Sequence, residues 1–89
     1  MKENTAMAAN EALQEQVREI VATTFGLAPA EVGADASNQT LRAWSSLAHL
    51  RLMASIQQAF GLRLAMDEMM DMTSITAIER VLSAHGVEI

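Results

Sequence analysis

Between residues 11 and 25 the apolar side chains Leu13, Val17, Ile20, Val21 and Phe25 recur at helical spacing, while Glu11, Glu15, Arg18 and Glu19 fall on the other side. That pattern predicts an amphipathic first helix. Asn10 can cap it, Glu11 suits its positive end, and Gly26 followed by Pro29 stops it. Residues 1–9 read as a flexible N-terminal tail ahead of a single domain over 10–89.

Periodicity is then lost over residues 26–44, "GLAPAEVGADASNQTLRAW". A loop of this length inside a small domain is uncommon and usually functional, and it needs anchors: Leu27, Val32, Leu41 and Trp44 are the candidates. One helical turn is expected near Pro29 to Val32. A second helix follows, from the serine pair to Phe60, with Gly61 as the left-handed residue past its end and Leu47, Leu50, Met53, Ala54, Ile56 and Phe60 as a wide apolar face. Leu62 and Leu64 form an extended lead-in to a short helical turn whose apolar content is Met66, Met69, Met70 and Met72. Thr73 or Ser74 caps a last helix that turns Ile75, Ile78, Val81 and Leu82 inward until Gly86 ends it.

Composition sharpens this picture. The chain is 51% hydrophobic but only 3% aromatic, so Leu, Ile, Val, Met and Ala must build the core, as in a small all-α bundle. A formal charge of -5 disfavours nucleic acid and anionic lipid as partners. With no cysteine there is no disulfide, thiolate metal site or thiol nucleophile, and His49 and His85 lie too far apart in sequence to suggest a metal site. Glu3, Asn4, Asn10 and Glu11 interrupt the start, and no apolar stretch reaches the ~18 residues of a membrane span. A soluble, cytoplasmic monomer is expected.

The chemistry centres on "WSSLAHLRLMASIQQAF". One serine before an apolar helix is ordinarily its N-cap; the next residue is already helical, with its hydroxyl free toward solvent. A phosphate on that hydroxyl would lie against the open N–H groups of the helix start.

The stretch "WSSLAHLRLMASIQQAFGLRL" resembles the second-helix signature of acyl carrier proteins, in which an Asp-Ser-Leu motif follows the long loop and the serine receives a 4'-phosphopantetheine arm. The resemblance extends from about Glu11 to Gly86, through the helix–loop–helix order, Phe60-Gly61, and the cap and start of the last helix at Ser74 and Ile75. It implies a right-handed bundle of three main helices plus a short one, with Ser45 as cap and the arm on Ser46. It further implies a non-catalytic carrier of acyl or aminoacyl thioesters in a dedicated fatty-acid, lipid, polyketide or related biosynthetic pathway. Its partners would be a phosphopantetheinyl transferase and acyl-activating or acyl-transferring enzymes, docking at Ser45, Leu47, His49, Arg51 and Arg42. A bundle site for the acyl chain would be lined by Leu50, Met53, Ala54, Met66, Met69, Met70 and Ile75, although ordinary core filling is the simpler role for these methionines.

The chain departs from the family at two points. Ser45 stands where acyl carriers usually have aspartate, and residues 46–60 contain no Asp or Glu and one basic residue, Arg51. His49, Gln57 and Gln58 are expected on the exposed side of this helix, which points to a specialised partner surface. An unmodified protein-interaction module of the same fold is the alternative. Pairing Ser46 with His49 as nucleophile and base is disfavoured, because no third group orients the imidazole; a solvated surface histidine is expected there. His85 suits the last helix's negative end and calls for no further role, and Trp44 reads as a loop anchor.

Overall fold

The computed structural model describes the backbone of residues 2–87 and the side chains of residues 12–87. Its helices are α1 (Lys2–Phe25), α2 (Ser46–Phe60), α3 (Met66–Asp71) and α4 (Ile75–Ala84), with one 3-10 turn at Pro29–Glu31 in the long loop. Apart from an isolated antiparallel bridge between Ser37 and Ser74, the described residues hold no β-structure. This is the expected all-α bundle. No helix among the described residues is long and apolar enough to cross a membrane.

The helix boundaries follow local chemistry. α1 ends at Phe25 because Gly26 turns left-handed at φ 73°. Gly61 does the same for α2 at φ 63°, conformations that cost glycine little and other residues more. Ser74 caps α4 by accepting the Ala77 N–H at 3.0 Å. The start of α1 differs from expectation: the helix is continuous through Asn10 back to Lys2. Ala6, Met7, Ala8 and Ala9 are strong helix formers, and no glycine or proline interrupts them. The side chains of the expected tail and of Glu11, and residues 88–89, lie outside the described residues.

α1 packs on α2 and α4, and α3 rests on α4. The core joins Val17 and Val21 of α1, Leu52, Met53 and Ile56 of α2, and Ile75, Ile78 and Leu82 of α4, with Val32 and Trp44 supplied by the loop. Leu27 and Leu41 are half-buried against it, so all the expected loop anchors engage. The face of α2 is rotated from expectation. Leu52 is its innermost leucine, whereas Leu47 and Leu50 are 61% and 67% exposed and Ala54 is exposed. Because α2 is apolar on most of its circumference, periodicity does not single out the buried face.

Polar ties fix the loop. Arg18 donates from Nε to the Val32 carbonyl at 2.6 Å, pinning the loop to α1. Asn38 N–H donates to the Thr73 carbonyl at 2.9 Å and Ile75 N–H to the Ala36 carbonyl at 3.0 Å, which brings the loop beside the start of α4. Gln57, expected to face partners, is half-buried and points inward: its Oε1 accepts the Leu64 N–H at 3.0 Å and its Nε2 donates to the Met53 carbonyl at 3.2 Å.

Candidate functional site

The loop delivers the serine pair to the outer end of α2. Ser45 has extended backbone (φ -82°, ψ 174°) and is the N-cap: its Oγ accepts the Ala48 N–H at 3.2 Å, and its carbonyl accepts the His49 N–H at 2.8 Å. Ser46 is the first helical residue and is exposed, as is its hydroxyl-bearing neighbour Ser45. With the Ala48 and His49 amides engaged, the amides of Ser46 and Leu47 remain the open donors of this helix start. There is no acidic residue in the first turn of α2.

Beside Ser46 lies an open groove of about 400 Å³. Asn38 and Trp44 line it from the loop, Ser45, Ser46, His49 and Leu50 from the start of α2, and Met70 and Thr73 from α3 and the segment after it. Its volume is that of a small-ligand site, which typically spans about 300–1,000 Å³. Leu50 and Met70 (69% exposed) in its lining are exposed apolar side chains, as are Leu47 on α2 and Met66 (70% exposed) on α3.

Trp44 is buried at 4% exposure and meets Phe25 edge-on at 5.4 Å. Its indole Nε1–H donates to His49 Nδ1 at 3.0 Å. The other ring nitrogen, Nε2, lies 2.7 Å from the Met69 carbonyl on α3. The expected solvated histidine is thus half-buried and bonded at both nitrogens, and neither is free for a partner. Arg42 and Arg51 are exposed.

The residues expected to line one acyl pocket separate. Met53 and Ile75 are packed in the core at 2% and 0% exposure, Met69 is half-buried against Gln57, Ala54 and Met66 face solvent, and Leu50 and Met70 reach the groove. Simple core filling does not describe the methionines either, since two of them are among the most exposed large apolar side chains. Asn38 and Thr73 carry no sequence signal for their place in the groove; the loop-to-α4 bridge puts them there.

None of the side chains of α3 is fully buried; Met69 packs partly against the core, and polar contacts add to the hold. Glu68 Oε1 accepts the Ala65 N–H at 2.9 Å, and Glu68 Oε2 lies 2.9 Å from His85 Nε2 at the end of α4. The Ala65 amide, followed by the His85 ring, holds the Glu68 carboxyl below the usual carboxylate range. His85 therefore does more than complement the end of its own helix.

Ser46 meets the steric and electrostatic needs of a phosphodiester-linked arm: an exposed hydroxyl, open amides beside it, no carboxylate in the first turn, and an adjoining groove. A search of curated proteins finds no significant match to the chain. Residues 15–82, however, match the model of the phosphopantetheine attachment site, a family whose members carry a covalently attached 4'-phosphopantetheine, and the chain belongs to that family.

Proposed function

We propose that the protein is a non-catalytic carrier whose Ser46 bears the arm and which presents acyl or aminoacyl thioesters to the enzymes of a dedicated fatty-acid, lipid, polyketide or related pathway. The observation that carries this reading is the division of the serine pair: Ser45 is committed to the cap, and Ser46 is exposed at the first helical position. The arm, when present, supplies the thiol that this cysteine-free chain lacks.

The chain's own residues bind and orient. Open amides at Ser46 and Leu47 favour the phosphate, while Leu50 and Met70 offer an apolar surface in the adjoining groove. Arg42 and Arg51 add positive charge where acyl carriers commonly present acid, which favours partners with a complementary, less basic face. Cargo rests along the surface groove rather than among Met53 and Ile75, which are closely packed.

Intact-mass measurement after incubation with coenzyme A and a broad-specificity phosphopantetheinyl transferase tests the reading. A phosphopantetheine-sized gain is expected. No gain with this or any cognate transferase, from protein shown to be folded, would favour the unmodified interaction module instead.

A further inference from the structure

We propose that His49 is a positioning residue: as the neutral tautomer with its proton on Nε2, it ties the loop, α2 and α3 together and fixes the wall of the groove beside Ser46. The tie is a matter of geometry and stands apart from the carrier reading; its consequence for the arm rests on that reading.

The hydrogen bonds assign the tautomer. An indole N–H can only donate, so His49 Nδ1, 3.0 Å from Trp44 Nε1, must accept. The ring proton then sits on Nε2, which donates to the Met69 carbonyl at 2.7 Å. The same carbonyl accepts the Met72 N–H at 3.3 Å, so both its lone pairs are used. One imidazole thereby links the anchor of the loop, the first turn of α2 and the body of α3.

Besides this link, Met69 packs partly against the core and Met72, just past the end of α3, is buried. The helix is six residues long and fully buries none of its side chains. Its other polar ties are the Gln57 Nε2 contact to Met69 Sδ at 3.9 Å and the Glu68–His85 pair at the opposite side. Met70, next to the bonded Met69, is the α3 residue that lines the groove. Releasing the Met69 carbonyl frees that wall while leaving the Ser46 hydroxyl itself untouched.

Acid supplies an independent test. A proton added at Nδ1 sets two donors face to face and breaks the indole bond. Among the described residues, the charged side chains of the neighbouring elements are Glu15, Arg18 and Glu19 on α1, Glu31, Asp35 and Arg42 in the loop, Arg51 on α2, Arg63 between α2 and α3, Asp67, Glu68 and Asp71 on α3, and Glu79, Arg80 and His85 on α4. None of them lies within ion-pair distance of His49, and Glu68 is engaged with His85.

Glutamine reproduces the required pattern, with an acceptor oxygen and a donor nitrogen at the end of a long side chain; asparagine carries the same groups but is too short to span both partners. The experiment compares wild type, His49→Gln and His49→Asn, all unmodified, by hydrogen exchange at the Trp44 indole and the α3 amides across a pH series. Transfer of phosphopantetheine from coenzyme A is then measured on each. Expected are wild-type protection in His49→Gln, roughly tenfold faster exchange in His49→Asn, and loss of indole protection on acidification in wild type but not in His49→Gln. Transfer should show a raised KM with kcat retained in His49→Asn only. Wild-type protection in a folded His49→Asn, or the same acid response in wild type and His49→Gln, overturns the tie. An equal KM in all three proteins overturns its consequence for the arm. Failure of wild type itself to accept the arm would count against the carrier reading and leave the exchange result to decide the tie.

Discussion

Ser45 Oγ accepts the backbone N–H of Ala48 at 3.2 Å, and this bond gives the two adjacent serines different work. Replacing Ser45 with alanine removes a side-chain cap, worth about 1 kcal/mol. The expected outcome is a melting temperature lower by about 4–8 °C with Ser46 still able to accept the arm. Ser46→Ala should leave the melting temperature nearly unchanged and abolish acceptance. Thermal melts paired with intact mass check both.

Aspartate is as good a cap as serine and would also restore the carboxylate usual in acyl carriers at this position. Ser45→Asp should therefore hold the melting temperature and raise the rate of modification by a broad-specificity transferase. An unchanged rate would show that the missing carboxylate does not limit loading.

The orientation of α2 makes a pairwise prediction. Leu52→Ala removes a side chain with 0% exposure and should cost about 2–5 kcal/mol. Leu50→Ala, two residues earlier on the opposite, groove-facing side of α2, should change stability by less than about 0.5 kcal/mol while weakening binding to a cognate enzyme. Urea unfolding of both variants distinguishes this orientation from the one in which Leu50 faces the core.

The Glu68 contacts set a pH dependence. Its carboxyl is held below its ordinary value, first by the Ala65 amide and then by His85. A group whose folded value is depressed contributes stability above its unfolded value; that contribution is lost as pH falls through the folded value. Stability measured from about pH 6 down to pH 3 should fall less steeply in Glu68→Gln than in wild type. Equal slopes would mean that this carboxyl contributes nothing.

Much of the fold was legible because it is written locally. Gly26, Gly61 and Ser74 end or start helices through their own backbone and side-chain chemistry, and the serine pair announces its cap in the same way. What was not legible depends on distant partners. His49 and Gln57 read as surface residues on a helix, yet one reaches a carbonyl 20 positions away and the other clamps the lead-in to α3. Arg18 sits on the polar side of α1 and finds the Val32 carbonyl 14 positions on. The mostly apolar circumference of α2 hid which leucines are buried, so a pocket lined jointly by Leu50, Met53 and Ile75 could be drawn from sequence although the fold separates them.

On the proposed reading Ser46, rather than its neighbour, carries the arm. The most direct measurement is peptide mapping by tandem mass spectrometry of the protein after transfer of phosphopantetheine from coenzyme A, with fragmentation that separates adjacent serines. The added mass is expected on Ser46 alone, in wild type and in Ser45→Ala. Modification of Ser45, or of Ser46→Ala at any other residue, would contradict it.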